Sequence, residues 1–328
     1  MKKNIQKIVV LAFVLLCAAC GGSKKGVTMK VENFSNGKAG EVIVIADEPY
    51  WETILADTIK ASLSQPQPAI NQIEPMFDVL HFVKADFSAH FQRHRNIVHF
   101  DIDGNYPVNQ FLIEKNHWAS PQIYVQIKGN DADSCLALYF QHEYEIIESL
   151  YENDLRRLQS YFGQNTDAAM QKFIKGKFGI KLNIPEQYFV ASEDTDFLWL
   201  RYRTVKNDRF IMIYRSPLTD LTAENLIAQR NAITHDYIPG AVKGAYPIVA
   251  EKLGFPLADT IAVNGRTGME LRGLWECVND KMGGPFYSFS YIDEKTSSVI
   301  TIDGFVYAPE ENKRDYLREV EAIVKSAR

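Results

Sequence analysis

The sequence is short of most features that announce an activity. Basic residues do not outnumber acidic ones: 36 Lys and Arg stand against 41 Asp and Glu, a formal net charge of −5. No basic stripe with interleaved aromatics is present, so nucleic acid is not expected as a partner. The apolar run at the start, Ile8 to Ala19, is twelve residues, about 18 Å of helix against roughly 30 Å for a bilayer core, so it is no transmembrane anchor. There is no P-loop, no GxGxxG opening a helix, no GxSxG elbow, no HExxH and no SxxK in a nucleophile setting, and therefore no cofactor is expected. Tandem repeats and low-complexity blocks are missing. Cysteine is scarce, with four in 328 residues, two of them Cys17 and Cys20. A CxxC redox pair needs a strand before it and a helix after it, and this one has neither.

What stands in that place is an address. Lys2, Lys3 and Lys7 precede the apolar run, and small residues lead from it to Cys20, the three parts of a secretory signal. Ala18-Ala19-Cys20 resembles a bacterial lipobox, although Cys17 occupies the position where Leu is usual. The resemblance implies cleavage before Cys20, a signal peptide over residues 1–19, and a diacylglyceryl group and acyl chain on Cys20. Two or three acyl chains, at about 0.8 kcal/mol per buried CH₂, hold a protein on a membrane almost permanently. Loss of three lysines with the leader leaves a net charge of −8. Such a body is repelled by an anionic bilayer and suits a tether, for which residues 20–40 have the Gly/Ser/Lys/Asn composition. Lysines rather than acidic residues follow Gly22, which favours an outer-membrane lipoprotein facing the periplasm. Cys135 and Cys277 remain in the mature chain and read as two separate buried thiols.

The body divides by pattern into an N-terminal α+β part, 41–165, and a C-terminal α+β part, 166–328. In the first, Val42 to Ala46 predicts a buried strand, Asp47-Glu48-Pro49 a helix start, Phe77 to Val83 and Ile97 to Ile102 further strands, and Phe87 to His94 a short helical piece. Ile123, Val125 and Ile127 alternate with polar neighbours, and Asp131, Asp133 and Ser134 offer caps for one long helix to about Phe162. In the second, Phe178 to Ile184 alternates as a strand does, Phe197 to Arg203 and Phe210 to Arg215 form a hairpin, and Thr222 to Thr234 is helical. Strands follow over 267–276, 286–292 and 299–307, and the chain closes on a helix whose stripe is Leu317, Val320, Ile323 and Val324. Strand meanders bracketed by helices predict an α+β fold of two subdomains with largely antiparallel sheets.

Several landmarks together resemble a family of bacterial lipoproteins typical of Bacteroidetes, domain of unknown function 4837. They are the lipobox, GKAGEVIVI at 37–45, HRN at 94–96, IPG at 238–240, RGLWE at 272–276, MGGPF at 282–286 and GFVYAP before the closing helix. The resemblance implies no activity, since the family has none assigned. Element order in the C-terminal part also looks like a PsbP-like α/β/α sandwich.

Two constellations could carry chemistry. His90 and His94, four apart, would share a helix face as metal pairs do, or lie at a core edge beside Phe87 and Phe91. Arg272, Trp275, Glu276 and Asp280 cluster near Gly283-Gly284-Pro285 and could line a ligand pocket, or serve a strand whose Leu271, Gly273 and Trp275 share one face. The residues favour a non-catalytic, membrane-anchored binding or assembly module with an envelope protein or glycan partner. The alternative is an envelope hydrolase acting on glycans or peptides through Glu276 and Asp280, or His90 and His94.

Overall fold

Strand β1 (Glu41–Ile45) forms because five residues rich in Val and Ile pack on both faces, and Asp47, Glu48 and Pro49 then turn the chain into helix. Asp47 occupies the cap position without a side-chain capping bond; its carboxylate accepts instead from the backbone N–H of Lys84 at 3.2 Å. Helix α1 spans 48–63 as Glu48–Tyr50, a π-helical turn Trp51–Leu55 with non-helical backbone at Thr53, and Ala56–Leu63. Strands β2 (Asp78–Phe82), β3 (Asn96–Ile102), β4 (Gln110–Lys115) and β5 (Ile123–Gly129) complete a sheet of order β2-β1-β3-β5-β4. The computed structural model describes residues 33–328; the leader, Cys17, Cys20 and residues 20–32 of the expected tether lie outside the described residues. Residues 33–40 are fastened to the body, with Asn36 N donating to Arg93 O at 2.8 Å and Arg95 N to Asn36 O at 3.1 Å.

The expectation of antiparallel pairing fails for this sheet. β1 pairs parallel with β2 and β3, and β3 with β5, leaving only β4–β5 antiparallel. The physical reason is the helix between β1 and β2: a crossover of that length permits parallel neighbours, and a strand buried on both faces is what such sheets contain. The long helix is broken at His142 into α2 (Ala132–Gln141), capped by Asp131 through Ser134 N at 2.7 Å, and α3 (Glu143–Gln164).

The alternating run 178–184 joins neither sheet. Helix α4 (Ala168–Phe178) ends at Gly179, whose φ of +75° suits a residue without a side chain. The chain then runs extended, with Lys181 and Arg328 exchanging backbone hydrogen bonds at 2.9 and 3.0 Å. Ile180, Leu182 and Ile184 are buried, so the period of two reported a segment covered on one side rather than a sheet strand.

Eight strands make the second sheet: β6 (Phe189–Asp194), β7 (Phe197–Arg203), β8 (Asp208–Pro217), β9 (Tyr246–Val249), β10 (Leu257–Val263), β11 (Arg266–Val278), β12 (Gly283–Asp293) and β13 (Ser298–Tyr307). The order is β10-β11-β12-β13-β8-β7-β6, with β9 beside β10 on β11, and all pairings are antiparallel. Helix α5 (Ala223–Tyr237) packs on the face carrying Phe210, Trp275, Phe286 and Phe305. Helix α6 (Arg314–Val324) lies on the other face, where its stripe joins Ile211, Tyr287, Ile302 and residues of α1, α2 and α3 in one continuous core. Gly304 makes this approach possible, because a Cβ there would stand 2.7 Å from the Cβ of Val320. Glu74, from the N-terminal part, caps α6 by accepting from Lys313 N and Arg314 N at 2.7 and 2.8 Å.

Candidate functional site

Strand β11 decides where the expected site residues go. Its alternation buries Leu271, Gly273, Trp275 and Cys277 towards α5 and turns Arg272 towards α3 and α6. Arg272 lines a cleft of about 510 Å³ bounded by Tyr144, Glu148, Tyr151 and Glu152 of α3, by β10, and by Lys325 just after α6. Pro68 and Met76 line it as well.

Beneath the cleft sits a charge network. Arg272 Nη2 and Nη1 donate to the two carboxylate oxygens of Glu321 at 2.6 and 2.7 Å, the bidentate geometry that gives the strongest hydrogen bonds to a carboxylate. Arg272 Nε donates to Glu270 at 3.1 Å, Tyr151 OH to Glu321 at 2.5 Å, and Lys325 Nζ lies 3.1 Å from Glu321 and 3.0 Å from Glu152. Glu321 is 0% exposed. Burial alone would raise its pKa, but Arg272 and Lys325 outweigh burial and hold the carboxyl down at about 2. Burial, together with Glu321, lifts Tyr151 to about 12, so its hydroxyl stays a donor. Glu148 goes the other way: burial and then the neighbouring Glu152 raise its pKa. Both cations of the cleft are thus spent in ion pairs, while Glu148 and Asp259 line it without one among the described residues, which leaves its surface acidic.

The open side of β10 adjoins this cleft. Val263 faces Arg266 across Asn264-Gly265, a two-residue turn with φ of +47° and +84°. Counting back through the ladder, hydrogen-bonded and non-hydrogen-bonded pairs alternate, so Ala258, Thr260 and Ala262 turn their backbone groups away from β11. The N–H of Thr260 is covered by the carboxylate of Asp259 at 2.7 Å. Leu257, Ala258, Asp259 and Ile261 line the cleft itself.

The other expected residues are dispersed. Trp275 is buried on the opposite face, its indole N–H donating to Val306 O at 3.1 Å and its ring edge-on to Phe305 at 5.5 Å. It borders a separate cavity of about 160 Å³ with Trp199, Phe210 and Cys277. Glu276, half-buried on β11 opposite Gly283, and Asp280, in the turn that follows, line neither space. The helix expected to carry His90 and His94 is only a 3-10 turn, Phe91–Arg93, flanked by the two histidines. His90 is exposed, whereas His94 is buried with Nδ1 3.0 Å from Asn96 O and Nε2 3.6 Å from Glu41. Four residues outside a full helical turn do not share a face, which removes the basis of the metal pairing. Among the described residues no cluster of three or more His, Cys, Asp and Glu is placed to hold a metal ion. Cys135 and Cys277 are free and buried, and desolvation pushes both thiols up to about 11.

Sequence reasoning missed Glu321, Lys325, Glu148 and Tyr151. One signal existed: Glu321 is four residues after Leu317 and one after Val320, on the apolar stripe, where a carboxylate requires a buried cation.

Residues 167–326 match the family described as Domain of unknown function (DUF4837), and residues 35–163 match a second, Domain of unknown function (DUF8532). No curated protein matches the chain. Among solved structures, a point mutant of the protein Mog1 aligns over 45% of this chain and 85% of its own at 10% identity, with a TM-score of 0.29. A likeness that distant carries no argument about fold or function. Residues 167–326 are thus a domain of the DUF4837 family, a domain of unknown function.

Proposed function

We propose that this protein is a lipid-anchored, non-catalytic binding module of the bacterial envelope, held through Cys20 at the outer membrane and facing the periplasm, and that it receives an extended polypeptide segment of a partner. The observation that carries the binding reading is the meeting of the 510 Å³ cleft with the open edge of β10. An edge strand offers unpaired backbone groups to an added strand, and a cleft beside it offers pockets for alternate side chains. The acidic lining selects a basic side chain, since Arg272 and Lys325 are already neutralised by Glu321, Glu270 and Glu152. The lipobox, the net charge of the mature chain and the lysines after Gly22 support the address.

The test is a display library of random extended peptides panned against the mature chain and two variants, Ala258→Pro and Glu148→Lys. Proline removes one outward N–H without touching a bond to β11. Bound peptides should be enriched in Lys or Arg, and both variants should lose them with unchanged melting temperatures. Equal binding by the Pro variant would reject strand addition. For the anchor, mass spectrometry of the natural product should find an acylated Cys20 at the N-terminus, and an unmodified thiol or a retained leader would reject it.

A further inference from the structure

Strand β4 ends the first sheet, and its far side faces no further strand. Asn116 N donates to Gln122 O at 2.9 Å, while Ile123 N, one pair further on, donates to Arg95 O on the β3 side at 2.9 Å. Hydrogen-bonded pairs alternate along an antiparallel ladder, so Gln110, Leu112 and Glu114 bond to β5, and Phe111, Ile113 and Lys115 turn their N–H and C=O outwards. Among the described residues no backbone group bonds to that outward row. Natural edge strands are guarded by bulges, charges or proline. At the end of the other sheet, β6 shifts register between Val190 and Ser192 and finishes on Glu193 and Asp194. By contrast, β4 runs in unbroken register with β5. Its centre is Leu112, 43% exposed and pointing away from the core on which Phe111 and Ile113 pack. The charges of Glu114 and Lys115 stand at one end.

The occupant follows from symmetry. A two-fold axis normal to the sheet keeps each face on its own side, so a residue can oppose only residues of its own face, and the register must centre on one residue. Centred on Leu112, Phe111 opposes Ile113 of the second copy on the core face, and the outward N–H of each meets the carbonyl of the other. Leu112 opposes itself as a non-hydrogen-bonded pair, where side chains come closest, and the Gln110 amide opposes Glu114. No like charges meet. Centring on Ile113 instead sets Lys115 against Phe111 and Glu114 against Leu112, and centring on Phe111 sets Asn109 against Ile113 and Gln110 against Leu112. Both alternatives place polar groups against apolar ones. A strand of unrelated sequence would satisfy the backbone but would gain nothing from this self-match. We propose that β4 is a self-association edge, to which a second copy of this chain adds its own β4 antiparallel about an axis at Leu112, joining two five-stranded sheets into one. The edge shares no residue with the α3–β10 cleft, so it stands apart from the peptide reading.

About 20 Å of paired strand is a small interface, so the association is reversible and is read at high concentration. The experiment is sedimentation velocity on the mature full-length chain in mild detergent, from about 1 µM to about 1 mM. The parent should pass from monomer to dimer. Leu112→Glu and Leu112→Lys should each lower the association constant at least about tenfold, because like charges then meet on the axis, and an equimolar mixture of the two should dimerise again. Since Leu112 points outwards, both variants should melt as the parent does. Oxidative crosslinking reads the register. Leu112→Cys should link to itself, because opposed residues of a non-hydrogen-bonded pair have Cα atoms about 4.5 Å apart, within reach of a disulfide. Gln110→Cys, about 14 Å from its own copy, should not, but it should link to Glu114→Cys. Cys135 and Cys277 are buried, with thiols pushed up to about 11, and add no background. A chain that stays monomeric up to about 1 mM, a dimer that survives both charge variants, or Gln110→Cys linking to itself as fast as Leu112→Cys does, overturns the proposal. Should a charge variant fail to fold, the crosslinking pattern decides.

Discussion

Replacing Glu321 by Gln keeps the volume and removes one charge, and the structure sets what that should cost. The carboxylate is wholly buried, takes two bonds from Arg272 and one from Tyr151, and lies beside Lys325. Its loss leaves the Arg272 guanidinium buried with only Glu270 as counter-charge. Removing one partner of a buried pair costs about 3–5 kcal/mol, a large share of the roughly 5–15 kcal/mol of a typical fold. Linkage gives a second route to the same size. A carboxyl whose folded pKa lies below its unfolded value adds stability that is complete above the unfolded pKa, and that stability disappears as pH falls through the folded one. From 4.5 to about 2 the group is worth about 3 kcal/mol. Urea unfolding followed by circular dichroism at pH 7, 4.5 and 3 should show E321Q destabilised by about 3–5 kcal/mol at pH 7, with the gap to the parent closing as the acid limb is descended. The comparison must be a difference, since Glu148, Glu319 and Asp303, whose pKa values burial raises, gain stability on protonation. The double variant R272M/E321Q should recover part of the loss, because the guanidinium of residue 272 is no longer left without its main partner. A cost below about 1 kcal/mol, or strictly additive single effects, would refute the account of this network.

Two further outcomes follow from other sites. His99, with Nδ1 2.8 Å from Tyr124 OH, is brought by burial to a pKa of about 4, so its contribution is full above pH 6.5 and lost as pH falls towards 4; H99Q should flatten that part of the stability profile, and identical slopes in the two proteins would contradict it. Gly304→Ala should cost about 1–3 kcal/mol through its clash with the Cβ of Val320, and adding Val320→Gly, which removes that Cβ, should relieve part of it; a fully additive pair in thermal melts would mean that α6 is free to shift.

Much of the C-terminal part was legible because its elements alternate or repeat on one face. β11 was read to the right faces from Leu271, Gly273 and Trp275, and the stripe of α6 from Leu317, Val320, Ile323 and Val324. β10 was overlooked although Asn264-Gly265 is a strong hairpin signal, because its own residues, Leu257 to Ala262, are mostly exposed and lack a clear apolar face. The parallel pairing of β1 was out of reach for a different reason: a short buried run looks the same whichever neighbours it has.

Residue type and spacing along the chain were enough for many of the local elements and their buried faces, though not for β10 or for the extended run 178–184. Which residues share a site emerged from packing alone. Arg272 and Trp275 are three apart and end on opposite faces of one sheet, whereas Arg272, Tyr151 and Glu321 are far apart and meet at bonding distance. A side chain's direction is local, but its partner is chosen by how helices and sheets pack, and that is a property of the whole chain.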